Sequence, residues 1–226
     1  MSWRAGAASV EFPVAVGTPM AGYMARAGGA TGTLDPLTIS ALALSCGDRT
    51  FVVVSADILG VDRGIVDEIE HLGGIESGWL AVCASHTHSG PTGVAKPVRN
   101  DSASSTDGEL RQRFVRSCVD VANRAIAGLV DAELIYGTAI AKGVSANRNS
   151  ETGPFDPTVH VLRASDLQGV PIATFVHFAC HPTILPAASN LISADFPGAI
   201  RRAMPGLVLF ANGAAGDVST RFTRKS

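Results

Sequence analysis

No stretch of about 18 or more apolar residues occurs in the 226-residue chain, so no segment reads as a membrane-spanning helix. The opening, MSWRAGAASVEF, lacks the apolar core of a secretory leader. With that start as the native one, the expected location is cytoplasmic; secretion is the alternative. Charge is also scarce. Charged residues make up 17% of the chain and apolar residues 46%, against a usual charged share of about 25%. That balance excludes disorder and suits a compact core with much buried strand. The net charge is only -2 and there is no long basic run. RRAMPG at 201–206 and RFTRKS at 221–226 are the densest basic patches, and they read as solvated surface. No basic groove is interleaved with stacking aromatics, which argues against nucleic acid as a partner. CxxC pairs are missing too. Cys46, Cys83, Cys118 and Cys180 are spaced too widely for a structural zinc cluster. They read as buried free thiols, with disulfides left open by the even count. The absence of a GK[ST] ending and of a GxSxG elbow excludes a phosphate-binding loop and the usual serine-hydrolase turn. No internal repeat or linker is visible.

What is present is a succession of buried-strand patterns. ASVEF at 8–12 alternates weakly. Residues 13–35 are rich in glycine and small side chains and read as a long loop, either a surface loop or one that crosses a cleft. LTISALALSC at 37–46 alternates, and FVVVSADIL at 51–59 is the near-continuous apolar run of a strand buried on both faces. Val61, Ile65, Ile69 and Leu72 recur at helical spacing. WLAVCAS at 79–85 is another buried strand. Residues 89–105 read as a loop. Thr106 and Glu109 then have capping-box spacing, and Leu110, Phe114, Cys118, Val121, Ala125 and Leu129 mark a helix over about 107–129. Strands follow at 132–141, 158–164, 171–180 and 207–212. Asp195 is placed to cap a short helix over 196–204, with Pro197 in its first turn. LVLFAN at 207–212 reads as the last strand. The order of elements argues for an α/β fold with a mixed β-sheet core flanked by helices.

Four segments can carry chemistry, each at or just beyond a strand end, where ligands bind in open α/β sheets. In Ser85-His86-Thr87-His88-Ser89-Gly90, a continuing strand places both histidines on one face, suited to two ligands or to a ligand and an acid/base partner. Ser85, Thr87 and Ser89 can act as supporting donors. In His177-Phe178-Ala179-Cys180-His181, His181 reads as a ligand and His177 as structural or supporting. Four of the six histidines thus sit at two strand ends. In Asn212–Ser219, a glycine-rich turn can present backbone N–H groups to an oxyanion. There Asp217 can orient a water or a ligand, and Ser219 can be a nucleophile or a donor. In Asn147-Arg148-Asn149, Arg148 can clamp a carboxylate or carbonyl oxygen. Asp57 either supports the site or caps a turn, while His71 and His160 read as structural.

These segments, together with VGTPMAGY at 16–23, VVVSAD at 52–57 and LISADFPG at 191–198, resemble the N-terminal catalytic domain of the neutral/alkaline non-lysosomal ceramidases. The resemblance spans nearly all of residues 1–226. It implies an α/β catalytic domain followed by an immunoglobulin-like one, and a zinc-dependent hydrolase that cleaves the amide bond of N-acylsphingosine to sphingosine and a fatty acid. It implies His86 and His181 as zinc ligands, His88 as the histidine contacting the reacting group, Arg148 as the active-site arginine and Ser219 as the serine of the GDVS motif. The family's further zinc ligands, a glutamate and a tyrosine, come later than residue 226, so the domain is expected to be incomplete at its C-terminus. Thr220-Arg221 stands where the family has Pro-Asn. The implied partner is a small-molecule or lipid amide, met at a membrane surface or in solution. The alternatives are a zinc hydrolase of another amide or ester, and a non-catalytic binding remnant.

Overall fold

The computed structural model describes residues 2–96 and 107–221. Four early strands form where the apolar patterns lie: β1 (Trp3–Glu11), β3 (Thr38–Cys46), β4 (Arg49–Ala56) and β5 (Leu80–Ala84), with the two-residue β2 (Gly32–Thr33) inside the long glycine-rich loop. The later strands are β6 (Val130–Ile140), β7 (Ser145–Asn147), β8 (Thr158–Asp166), β9 (Pro171–Phe178), β10 (Leu191–Ile192), β11 (Leu207–Asn212) and β12 (Val218–Thr220). LVLFAN is therefore not the last strand. The three residues of β12 pair antiparallel with β7, a segment expected to be loop. Both are too short to carry a readable period-2 pattern.

Three helices pack on the sheet. In α1 (Arg63–Gly73), the Asp62 side chain accepts from the Ile65 N–H at 3.1 Å, and Gly74 ends the helix at φ +64°. Ile65 and Ile69 are buried as their spacing predicts, but Leu72 points outward and is 56% exposed. In α2 (Gly108–Ala127) the cap is Asp107, whose carboxylate accepts from the Glu109 and Leu110 N–H groups at 3.0 Å each. Asp107 thus does the work expected of Thr106, which lies outside the described residues. The predicted stripe from Leu110 through Phe114, Cys118 and Val121 to Ala125 is buried. In α3 (Phe196–Ala203) Asp195 is the N-cap, as its position implied, and Pro197 sits in the first turn.

The main sheet has eight strands in the order β11-β9-β8-β6-β1-β3-β4-β5. Its interior pairs are antiparallel, and the pairs at its two ends, β4·β5 and β9·β11, are parallel. Each parallel pair needs a crossover, and α1 and α3 supply them. The sheet is thus mixed and flanked by helices, as the element order predicts. One core lies between β1, β3, β4 and the helices α1 and α2, where Phe12 meets Phe114 edge-on at 5.7 Å. The other face carries Ala5, Leu42, Ala132, Ala164 and Leu209, and α3 covers Phe178 and Phe210. The sheet curls so that its ends meet. The Ser55 hydroxyl of β4 donates to the Phe210 carbonyl of β11 at 2.6 Å and accepts from the Phe210 N–H at 3.2 Å. That closure brings the C-terminal ends of β5 and β9 together, and these ends carry His86 and His181.

Candidate metal centre

His86, His88 and His181 converge. Their imidazole centroids are 4.8–5.4 Å apart, and one ring nitrogen from each lies within 4.8 Å of the others, close enough to share a single ion. The route to this convergence differs from the expected one. β5 stops at Ala84, and no strand pleat aligns the two histidines. Instead His86 turns into the left-handed region at φ +66°. A non-glycine residue held there stores about 1–3 kcal/mol of strain. The surrounding hydrogen bonds hold it: Ser85 N–H donates to the Ala56 carbonyl at 2.9 Å and His86 N–H to the Ile58 carbonyl at 3.0 Å. Among the described residues, Asp195 is the other non-glycine residue at positive φ, and it too borders the site.

Two of the three rings are aimed by backbone carbonyls. His86 Nδ1 donates to the Leu59 carbonyl at 2.6 Å, and His181 Nδ1 donates to the Val218 carbonyl at 3.0 Å. A carbonyl can only accept, so Nδ1 carries the proton and Nε2 presents its lone pair in both rings. His88 differs: both of its ring nitrogens are buried without a hydrogen-bond partner. Burial, and then the neighbouring His86 and His181 with Arg26 and Arg148 behind them, pulls its pKa down to about 3. Burial also lowers that of His181. His88 and His181 are therefore neutral imidazoles at neutral pH, the form that binds metal. Of the seven buried side-chain polar atoms without partners among the described residues, six belong to Ser85, His88, Ser89 and Arg26. Native interiors satisfy such groups, so four on the 85–89 turn and two on the Arg26 side chain packed against it mark a place built for something other than packing. Three nitrogen donors with two rings fixed from behind fit Zn²⁺.

The other predicted residues surround this centre at different depths. Pairing of β12 with β7 sets Ser219 opposite Ala146, and an isolated bridge joins Ser219 to His181, whose N–H donates to the Val218 carbonyl at 3.1 Å. Ser219 is buried at 4% exposure, beneath the histidine. Arg148 N–H donates to the Asp217 carbonyl at 2.7 Å. The Arg148 side chain lines an open cleft of about 570 Å³ with His86, His181, Cys83, Asn212 and Gly213. Asp217 lies at the base of the Arg148 turn. Its carboxylate accepts from Asn147 Nδ2 at 3.0 Å and so shapes the Asn147-Arg148-Asn149 turn. Thr87 supports the centre: its hydroxyl donates to the Ser193 carbonyl at 2.7 Å and accepts from the Ser89 N–H at 3.1 Å.

Several histidines and acids lie elsewhere. His160 and His177 face each other across β8 and β9 with centroids 5.5 Å apart, and Tyr136 OH meets His160 Nδ1 at 2.7 Å. His71 is exposed in the last turn of α1. Asp57 is a structural anchor. Its buried carboxylate accepts from Thr38 and from both terminal nitrogens of Arg201, tying β4 to α3. Sequence reasoning left Tyr23 and Arg26 unassigned within the glycine-rich loop, yet that loop does cross the centre and packs on His88. The available signal was the density of glycines around an isolated aromatic and an isolated cation.

The chain folds as a mixed α/β structure closed around a three-histidine centre. The same fold occurs in the neutral ceramidase from Pseudomonas aeruginosa, with a TM-score of 0.84 and 24% identity over 100% of this chain and 41% of that one. It occurs also in a ceramidase complexed with C2, with a TM-score of 0.84 and 23% identity over 96% of this chain and 38% of that one. The chain thus spans about two fifths of the length of either structure. No family model and no curated protein matches it. Among the described residues, no helix is long and apolar enough to cross a membrane.

Proposed function

We propose that this chain is the zinc-binding part of a hydrolase that cleaves a linear amide, with N-acylsphingosine as its substrate and sphingosine and a fatty acid as products. The convergence of His86, His88 and His181 at the closed end of a ceramidase-like fold carries this reading. His86 and His181 are the ligands whose Nε2 atoms are preset by carbonyls behind them. Bound zinc supplies Lewis acidity toward the scissile carbonyl and an acidified water. His88, half-buried and neutral, would offer the third nitrogen to the ion and stand beside the group that reacts there. Arg148 stands on the cleft wall as the cation for negative charge developing on the carbonyl oxygen. Ser219 sits behind His181 and steadies it through the β12 backbone, a role closer to support than to nucleophilic attack.

The cleft lining supports a second reading within the same chemistry. Beside the histidines it offers the short side chains Val82, Ala84 and Ala215 together with Arg148 and Asn212, which also suits a smaller amide or ester. The test is made on the natural-length protein. Metal content and hydrolysis of a long-chain N-acylsphingosine and of short N-acyl amines are measured for wild type, H86A and H181A. The expected outcome is near-stoichiometric zinc in wild type, with zinc and hydrolysis both lost in each variant. Full activity in H86A would sink the assignment, and activity confined to the short amines would select the second reading.

A further inference from the structure

Arg26 belongs to none of the segments that hold the three histidines, yet its side chain ends at one of them. Its Nη1 donates to the His88 carbonyl at 2.8 Å and to the Ala21 carbonyl at 2.8 Å. The guanidinium lies 5.0 Å over the Tyr23 ring. That ring meets the His88 imidazole edge-on at 5.0 Å, and its hydroxyl donates to the Leu185 carbonyl at 2.7 Å, beyond His181. Gly22 closes the third side at φ +97°. A Cβ there would stand 2.5–2.7 Å from Cγ, Cβ and Cα of His88. The loop is joined to the histidine turn at its edges, because Ala21 N–H donates to the Gly90 carbonyl at 2.9 Å and Thr92 N–H to that of Pro19 at 2.9 Å.

This enclosure answers a need specific to His88. The rings of His86 and His181 are each oriented by a hydrogen bond, whereas that of His88 has none. Its direction is set by its backbone and by what packs against it, and Arg26 with Tyr23 controls both. The arrangement also has a cost. Arg26 Nε and Nη2 are buried without partners, and unpaired buried donors cost about 1–3 kcal/mol each. A loop selected for its own stability would leave those groups in water.

We infer that Arg26 is a positioning residue for His88: its Nη1, bonded to both the Ala21 and the His88 carbonyls, with Tyr23 as a wedge, holds the imidazole turned toward His86 and His181. This rests on the reading that the three histidines hold a metal ion. Arg26 acts through His88, and so its removal changes nothing once His88 is gone.

The experiment uses the natural-length protein and measures Zn²⁺ affinity by competition with a chromogenic chelator, alongside thermal unfolding. The variants are R26M, R26K, H88A and the R26M/H88A double substitution. R26M is expected to weaken zinc binding about 10–100-fold, the range for residues that support metal ligands, with an unfolding midpoint near that of wild type. R26K keeps a cation able to donate to both carbonyls but loses the planar group over Tyr23, and recovers part of the loss. In the H88A background R26M adds no further loss. Unchanged affinity in R26M, or losses in R26M and H88A that multiply as independent effects do, overturns the inference. Should R26M melt early, R26Q takes its place in the same cycle. Wild-type protein that binds no zinc overturns the metal reading as well, whereas zinc-binding wild type with an indifferent R26M overturns the role of Arg26 alone.

Discussion

At the scale of single residues, the site is a contrast between histidines that are tied and one that is not. His86 and His181 spend Nδ1 on a carbonyl; His88 spends neither nitrogen. Burial and the neighbouring imidazoles hold the pKa of His88 at about 3, below the unfolded value near 6.5. The folded protein therefore resists protonation there, and the unfolded chain binds the extra proton. Stability from this group is complete above pH 6.5 or so and is lost progressively as pH falls from there toward 3. Metal-free protein is expected to show a falling denaturation midpoint between pH 7 and pH 4, and His88→Gln to flatten that fall. Equal slopes for the two proteins in a chelator-treated denaturant series would remove His88 from the account. The residues themselves were legible in the sequence, since histidines at two strand ends are conspicuous. The tautomers were not, because they depend on the Leu59 and Val218 carbonyls, which adjoin the rings only in the folded chain. Tyr23 and Arg26 were hidden for the same reason: they lie more than 60 residues from His88 in the chain, and their spacing repeats no motif.

At the scale of elements, the long periodic segments were readable and the short ones were not. The buried stripe of α2 and the valine run of β4 follow from spacing alone, because many residues repeat one pattern. β7 and β12 have three residues each and exist because they pair with each other. The turn at 85–88 runs against the expected strand, since His86 leaves the β region. Asp195 links an element to the site in a way that can be tested. Its carboxylate accepts from the Phe196 N–H at 2.7 Å, capping α3, and from the Ile184 and Leu185 N–H groups at 3.2 and 3.0 Å, fixing the segment after His181. Asp195→Ala removes a cap and orphans two further N–H groups. It is expected to cost about 2–4 kcal/mol, read as a lower urea midpoint at unchanged slope. Asp195→Asn tolerates the positive φ and keeps one acceptor oxygen, so about half of the loss should return. A midpoint in Asp195→Ala equal to wild type would mean that water replaces the carboxylate without penalty.

At the scale of the whole molecule, the centre exists only because the sheet closes on itself. His86 follows one parallel pair and His181 the other, at opposite ends of an eight-stranded order, and 95 positions of chain separate them. Nothing local brings them together; long-range contacts across the closed sheet do, among them Ser55 of β4 on Phe210 of β11 and Asp57 on Arg201. An ion bridging the two ends is therefore coupled to global folding and binds the unfolded chain far less well. For such a ligand at about 100 times its dissociation constant, linkage gives about 2.7 kcal/mol of added stability. In a chain of this size that corresponds to a rise of about 5–11 °C in the unfolding midpoint. Zinc titrated into chelator-treated natural-length protein should produce that rise in calorimetry. His181→Ala should abolish it, because one ligand is then missing from the β9 end of the sheet. Asn149→Ala, on the polar turn beyond the histidines, should leave it intact. A rise of the same size in His181→Ala would place the bound ion elsewhere on the protein and detach the closure of the sheet from metal binding.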